Sequence, residues 1–234
     1  MAPSSRSFIV FKSKEINEEF KKDRFASWLT INPIIAKRIY NDYDLVIHFD
    51  ADSLIVSKLD ELLLGDYDVA GVRNNNDYGT AGTSSPCLIY TKNGIRENPE
   101  ISIFKYLNAG LIASTKKEFW DEWDYLNRSF NANNYFQYEQ DIYNKIVYGN
   151  KYNFKLLDPV YKQEHWGLSS AYGIKNHWET WKDIKIKDNE LYLNNKHIRV
   201  LHQAGGSGVL PKMQLDKLFN KETQEWLKEI LYGC

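Results

Sequence analysis

The chain is poor in cysteine and contains no long apolar run. Its only two cysteines among 234 residues are Cys87 and Cys234, which excludes a disulfide framework and a thiolate metal site. No window approaches the length and hydropathy of a membrane span, and the first residues lack the apolar core of a signal peptide. We therefore expect a soluble protein of a reducing compartment, the cytoplasm, without a membrane span.

Charge of one sign is also missing. The 30 Lys and Arg nearly balance the 31 Asp and Glu, so no basic field is available to attract nucleic acid or an anionic membrane. Aromatic side chains, by contrast, are plentiful, with 16 Tyr, 11 Phe and 7 Trp. Tyr and Trp join an apolar face to a polar tip, which suits ligands such as sugars, although core packing accounts for most of them.

Strand-like and helix-like segments alternate along the chain. Apolar runs predict strands over 8–11, 45–49, 67–72, 107–114, 154–157 and 198–202. Periodic patterns predict helices over 14–40 (in two pieces), 57–64, about 115–130, 137–148 and 214–232, with Asn32 and Ser57 as caps. A hairpin is predicted over 184–193. The alternation predicts one α/β domain over 1–234, a mixed, mostly parallel sheet flanked by helices, with a small antiparallel insertion near 184–200.

Two carboxylates directly follow an apolar strand. The stretch over 45–52 reads LVIHFDAD, so Asp50 and Asp52 come just after the run. Alternate residues of an extended segment point the same way, and ligands of open α/β sheets bind beyond the carboxyl ends of strands. Two convergent carboxylates repel each other unless a cation lies between them, and oxygen ligands suit Mg²⁺ or Mn²⁺. The pair predicts a metal site that holds a phosphorylated ligand; the alternative is an ordinary surface loop.

Three further stretches contain residue types suited to the same site. In Asn108-Ala109-Gly110 the small residues allow close approach to a ligand, and Asn offers a donor and an acceptor to a hydroxylated substrate. Glu139-Gln140-Asp141 places acidic side chains at a helix start, which also favours the helix dipole. His202 precedes a glycine-rich loop from Gly205 onward; imidazole completes a metal shell, and backbone N–H groups in such a loop cradle phosphate.

Together these stretches resemble motifs of the GT-A glycosyltransferases, which use nucleotide sugars. The resemblance is closest to the retaining family that includes glycogenin and the bacterial lipopolysaccharide galactosyltransferases. Order and spacing agree over about residues 40–210, and Asn144 and Leu157-Asp158-Pro159 extend the match. The resemblance implies a GT-A, Rossmann-like fold and transfer of a sugar from a nucleoside diphosphate, UDP above all, to a hydroxyl acceptor such as a glycan, with retention.

The resemblance also implies roles for individual residues. Asp50 would contact the nucleotide ribose and help to place the metal. Asp52 and His202 would be direct ligands of Mn²⁺ or Mg²⁺, which would bridge the two phosphates of the donor. In the retaining relatives the acceptor is thought to attack from the leaving-group side, so that a dedicated base is unnecessary.

The sugar-binding part of the site is assigned in the same way. Asn108 and Ala109 would line the donor sugar pocket, and Gln140 and Asp141 would lie at the anomeric centre. If the enzyme inverts instead, Glu139 or Asp141 must act as general base.

Two features depart from the family pattern. Gly208 stands where the family has a diphosphate-binding Lys after His-x-x-Gly, so phosphate contacts would come from loop N–H groups beginning at Gly205, or from Lys212. Only 49 residues precede Asp50, fewer than in the family. We therefore expect a domain that lacks the usual first strand or builds the base site differently.

Other classes of protein remain open. A sugar nucleotidyltransferase also uses carboxylates at a strand end, but 1–20 lacks its glycine-rich basic loop. A glycoside hydrolase needs carboxylates roughly 5–10 Å apart across a sugar, which Asp-x-Asp does not suggest. The principal alternative is a non-catalytic carbohydrate- or nucleotide-binding protein on a degenerate glycosyltransferase fold. Aromatic residues over 165–181 are candidates for an acceptor site or for core packing.

Overall fold

A computed structural model describes residues 31–50, 53–73, 89–90, 96–97, 106–129, 139–157, 162–164, 182–193, 195–202 and 219–232. The predicted strand over 8–11 and the first piece of the helix over 14–40 lie outside these residues.

Helices and strands alternate, as the sequence predicts. The helices are α1 (Ile31–Ile39), α2 (Asp60–Leu63), α3 (Lys117–Ser129), α4 (Glu139–Tyr148) and α5 (Lys221–Tyr232). The strands are β1 (Val46–Phe49), β2 (Ser53–Ile55), β3 (Val69–Arg73), β4 (Ile89–Tyr90), β5 (Arg96–Glu97), β6 (Leu107–Ser114), β7 (Phe154–Leu157), β8 (Lys162–Glu164), β9 (Lys185–Lys187), β10 (Glu190–Leu193), β11 (Lys196–His197) and β12 (Val200–His202). The bounds predicted for β6 and β7 are confirmed.

The largest sheet has the strand order β1-β6-β3-β7. Strand β6 runs antiparallel to both β1 and β3, and β3 pairs in parallel with β7. Strands β1, β3 and β7 therefore share one direction, with β6 reversed between them. The predicted mixed α/β fold is confirmed. The reversed strand was not predicted, because alternation of helices and strands predicts layers but not strand direction.

A bulge interrupts β6 where the predicted Asn108-Ala109-Gly110 motif lies. Gly71 of β3 pairs with Ile112, but the next residue, Val72, pairs with Asn108. Residues 109–111 thus have no partner in β3, and Leu111 instead faces Phe49 of β1. Bulges bend a strand and redirect its side chains, and they are common beside active sites.

Two three-stranded sheets and the antiparallel pair of β4 with β5 accompany the central sheet. Strand β12 lies between β2 and β8, antiparallel to the first and parallel to the second. Strands β9, β10 and β11 form the predicted antiparallel insertion. Asp188 and Asn189 connect β9 to β10 with φ of 53° and 61°. Asn and Asp tolerate this left-handed conformation, which a two-residue type I′ hairpin turn requires; the predicted hairpin is confirmed.

Apolar clusters cover both faces of the central sheet. On one face α1, α3 and α4 pack through a group of aromatic residues, Phe119, Trp120, Trp123 and Tyr143. On the other face Leu62 of α2, Leu111 of β6 and Val200 of β12 belong to one cluster. The insertion packs with α5 in a third cluster. The second cluster ties β12 to the central sheet and so fixes the position of His202.

Two predicted caps are wrong. Helix α1 includes Ile31, so Asn32 lies in its first turn, where Pro33 is tolerated because those N–H groups have no intrahelical acceptor. Residue Leu59, not Ser57, precedes α2, and no side chain caps this helix. The Ser57 hydroxyl instead accepts from the guanidinium of Arg199, the residue before β12, at 2.9 Å and donates to Glu190 of β10 at 3.3 Å.

Strand β1 is less buried than predicted. Val46 is buried, but the next three residues are half-buried, because β1 lies at an edge of the described sheet. Within the described part of the chain, no helix has the length and hydropathy needed to cross a membrane.

Candidate functional site

Strand pairing brings Asp50 and His202 to the same place. Asp50 follows β1, and its backbone N–H donates to the Gly110 carbonyl at 3.0 Å. Strand β2 begins at Ser53, which pairs with His202, the last residue of β12. The end of β1, the bulge of β6 and the end of β12 therefore meet at one place.

Gly110 forms the floor of this site. A Cβ atom at residue 110 would lie 2.8 Å from His202 Cε1 and 2.9 Å from Asn108 Oδ1, and would overlap Asp50 Oδ2. Real Cβ atoms essentially never approach so closely. Three of the predicted site side chains thus surround the Gly110 Cα atom, and only glycine leaves them room.

The Asp50 carboxylate lies between two imidazoles. Its Oδ1 is 3.2 Å from His48 Nε2, and its Oδ2 is 3.4 Å from His202 Nε2. Burial alone would raise the pKa of Asp50, but the hydrogen bonds and charges of His202 and His48 outweigh burial and hold this pKa well below its usual range. The Asp50 side chain keeps 39% of its surface exposed, whereas His202 keeps 1%. The site therefore presents an anionic carboxylate to solvent, backed by a buried imidazole.

Side chains of α4 hold the bulged strand. The Ala109 backbone N–H donates to Gln140 Oε1 at 2.8 Å. The Leu107 N–H donates to Asn144 Oδ1 at 2.7 Å, and Asn144 Nδ2 donates to the Leu107 carbonyl at 2.9 Å. Residues 109–111 have no partner in β3, and side chains of α4 supply hydrogen-bond partners to backbone groups in and beside this stretch. Gln140 and Asn144 therefore fix the strand segment that forms the site.

The two acidic residues of α4 differ in environment. Asp141 is fully buried and accepts from the Tyr106 hydroxyl at 2.6 Å. Burial, together with the negative charges of Asp50 and Asp141, raises the pKa of Glu139 to about 8. Glu139 Oε2 is buried and has no hydrogen-bond partner among the described residues. At neutral pH Glu139 is consequently protonated, while Asp141 lies beneath the surface of the site.

Several predicted residues lie outside the described ranges. They are Asp52, Gly205, Lys212, the Asp158-Pro159 pair and the aromatic residues over 165–181. Over the ranges that the structure describes, no group of three His, Cys, Asp or Glu side chains is arranged to hold a metal ion. Asp50 and His202 supply two side chains of these types. Asp52 directly precedes Ser53, the pairing partner of His202.

Two residues of the site were missed by the sequence interpretation, His48 and Tyr106. His48 carries a readable signal: it interrupts an otherwise apolar strand and stands two residues before Asp50, on the same side of an extended chain. Tyr106 carries none, because its contact with Asp141 depends on how α4 packs against β6.

Comparison with known proteins gives structural neighbours only. No protein-family model matches the chain, and no curated protein matches its sequence. Among solved structures it is similar to the bifunctional glycosyltransferase WbbM, with 18% identity and a TM-score of 0.49 over 77% of this chain. It is also similar to the galactosyltransferase LgtC in complex with donor and acceptor sugar analogues, with 15% identity and a TM-score of 0.49 over 89% of this chain. A third is the glycosyltransferase GlyE of Streptococcus pneumoniae, with 17% identity and a TM-score of 0.45 over 83% of this chain.

All three neighbours are glycosyltransferases. The similarity of the chain to them is one of structure. The chain spans 32% of WbbM, 69% of LgtC and 42% of GlyE. At these identities and TM-scores, the chemistry of the site has to be argued from the residues of this chain.

Proposed function

We propose that the chain is a metal-dependent glycosyltransferase. It moves a sugar from a nucleoside-diphosphate sugar, with UDP as the expected nucleotide, to a hydroxyl acceptor such as a glycan, and it retains the anomeric configuration. The observation that carries the proposal is the arrangement of Asp50, His202 and Asn108 around the Gly110 Cα atom. The resemblance of the sequence motifs points to the same chemistry.

The residues present fit a divalent cation such as Mn²⁺ or Mg²⁺. A carboxylate and an imidazole are suitable ligands for Mn²⁺, and the contact of 3.4 Å between Asp50 and His202 places both groups at one point. Asp52 is the proposed third ligand. A bound cation would supply charge stabilisation to the departing nucleoside diphosphate.

Asn108 and Ala109 are the proposed contacts of the donor sugar. Both residues are buried at the bulge. Asn108 Oδ1 accepts from the Gly110 N–H at 2.8 Å, which fixes the orientation of the Asn108 side-chain amide. A rigid strand segment suits a pocket that has to hold a sugar in one orientation. Backbone N–H groups of the loop beginning at Gly205, together with Lys212, are the proposed diphosphate contacts.

Retention is supported by the states of the α4 side chains. In the transfer, the bond from the anomeric carbon to the diphosphate oxygen breaks, and a bond from that carbon to the acceptor oxygen forms. The acceptor proton has to leave, and burial, the largest cause of the raised pKa of Glu139, makes this carboxyl a poor acceptor for it. Transfer of the proton to the departing diphosphate oxygen, on the face where the acceptor attacks, needs no protein base. Glu139 is then a hydrogen-bond donor at the site.

Gln140 is proposed to contact the sugar as a donor and not as a nucleophile. Its Oε1 accepts from the Ala109 N–H, so the amide nitrogen is the end that remains for a ligand. A carboxamide oxygen held by a backbone N–H is a poor candidate for a covalent bond to the anomeric carbon. Asp141, buried against Tyr106, is proposed to hold α4 in register beneath that carbon.

Turnover tests this proposal directly. UDP release from a panel of UDP-sugars is measured with Mn²⁺ and with chelator, for the wild type and for Asp52→Asn and His202→Ala. We expect metal-dependent release that both variants abolish. His197→Ala is the matched control, because this half-buried histidine lies in the antiparallel insertion. Unchanged release in Asp52→Asn would show that the metal site is misassigned. Sugar binding without any release would favour the non-catalytic alternative.

The remaining expectations from the sequence stay predictions. They are a single glycosyltransferase-like domain over 1–234 and a location in the cytoplasm.

A further inference from the structure

We propose that His48 is a positioning residue that fixes the orientation of the Asp50 carboxylate. This inference rests on the proposed function, in which Asp50 helps to place the cation. His48 belongs to none of the motifs on which that function is based.

The contact is specific to one oxygen of the carboxylate. His48 Nε2 lies 3.2 Å from Asp50 Oδ1, and the tautomer with a proton on Nε2 donates to it. Asp50 Oδ2 lies on the other side, toward His202. With Oδ1 held by His48, the carboxylate turns Oδ2 toward the space above Gly110, where the other site side chains converge.

The backbone of Asp50 is already fixed, which leaves the side-chain torsions as the remaining freedom. Its N–H donates to the Gly110 carbonyl at 3.0 Å, and its carbonyl accepts from the Ser53 N–H at 3.0 Å. Without a partner on Oδ1, a carboxylate that is 39% exposed and contacts His202 only through Oδ2 would keep torsional freedom. His48 removes that freedom before any ligand binds. Side chains that orient metal ligands in this way are typically worth 10–100-fold in metal affinity.

Core packing alone does not explain a histidine at residue 48. Its neighbours Val46 and Ile47 are aliphatic, and strand β1 pairs along β6 with Leu111 and Ile112. The His48 side chain keeps 18% of its surface exposed. A β-branched aliphatic residue would suit this half-buried strand position at least as well. Such a residue has no hydrogen-bond donor for Asp50 Oδ1, and histidine has one.

The test compares side chains that reach Asp50 with side chains that do not. Mn²⁺ affinity of the full chain is measured from the free Mn²⁺ signal in electron paramagnetic resonance, without nucleotide, for His48→Gln, His48→Asn and His48→Leu. Gln places its amide nitrogen near the position of Nε2, and Asn is too short. We expect Asn and Leu to weaken Mn²⁺ binding about 10–100-fold and Gln to stay within about threefold of the wild type. Thermal unfolding shows that each variant is folded, and the Gln/Asn pair is informative even if His48→Leu is not.

Two further variants separate the possible failures. His197→Leu, in the insertion, should leave Mn²⁺ affinity unchanged, and Asp50→Asn should abolish binding. Loss in Asp50→Asn with wild-type affinity in His48→Asn would overturn the positioning role alone. Equal losses in His48→Gln and His48→Asn would also overturn it, since His48 itself would then be a ligand. Wild-type affinity in Asp50→Asn would overturn both this role and the proposed metal site.

Discussion

Replacement of Gly110 by alanine tests whether the site depends on close packing around one Cα atom. The added Cβ would overlap Asp50 Oδ2 and would lie 2.8 Å from His202 Cε1 and 2.9 Å from Asn108 Oδ1. The backbone at residue 110 does not adopt the left-handed conformation, so alanine is not strained by φ. The effect of the substitution is therefore steric and falls on three site residues at once.

The size of the effect follows from these distances. Both contacts are closer by roughly half an ångström than the 3.4 Å at which ordinary van der Waals contact begins. A binding constellation loses function when its groups move by about 0.5 Å, so we expect Mn²⁺ affinity to fall about 10–100-fold. Overpacking also costs about 1–3 kcal/mol, which sets the expected loss in the free energy of unfolding.

Urea unfolding and Mn²⁺ titration measure the two effects on the same protein. Gly149→Ala is the matched control: this glycine follows α4, and an added Cβ would approach only backbone atoms, at 3.2 Å and beyond. We expect the control to bind Mn²⁺ as the wild type does. Wild-type Mn²⁺ affinity in a folded Gly110→Ala protein would show that the three side chains do not share this space in a functional site.

Three further predictions concern the framework of the site. Gly71→Ala should lower the free energy of unfolding by about 1–3 kcal/mol, since its Cβ would overlap the buried Tyr143 hydroxyl. Adding Tyr143→Phe to this variant should restore part of the lost stability, measured by urea unfolding. The absence of any rescue would contradict the overlap as the cause. Asn144→Leu should lower the free energy of unfolding by about 1–3 kcal/mol for each backbone group of Leu107 left unpaired, and it should weaken donor binding measured by calorimetry. Wild-type stability and wild-type donor affinity in this variant would show that α4 does not hold the bulge. The pKa of Glu139 is about 8 in the folded protein against 4.5 in the unfolded chain, so the folded state binds more protons between these two pH values. The free energy of unfolding should therefore fall as the pH rises from 4.5 to 8, by at most about 1.4 kcal/mol per pH unit. Urea unfolding across this range should show a decline that Glu139→Gln lacks, and an identical decline in the variant would assign the effect elsewhere.

Local signals in the sequence were enough to predict the layers of the fold. Strand β6 has the predicted bounds because its residues are buried throughout, so the segment is apolar or small apart from Asn108. The hairpin at Asp188-Asn189 was predictable because few residues other than Asn, Asp and Gly adopt positive φ. Alternation of strands and helices then limited the architecture to an α/β fold.

Features that depend on pairing between distant segments could not be read from the sequence. The bulge at 109–111 is set by the register of β6 against two different strands. The meeting of Asp50 and His202 depends on the pairing of β2 with β12, and the sequence offered only their residue types and the motif resemblance as signals for it. Ser57 looked like a cap because the signal for a cap is local, while the bonds it makes with Glu190 and Arg199 are not.

We propose that Asp50 and His202 form a metal-dependent site for a nucleotide sugar. The most direct test of this proposal is calorimetric titration of UDP-sugars into the wild type and Asp50→Asn, with Mn²⁺ and with chelator. We predict binding by the wild type only when Mn²⁺ is present, and none by the variant. Equal binding with and without Mn²⁺, or binding of no UDP-sugar under either condition, would contradict the account.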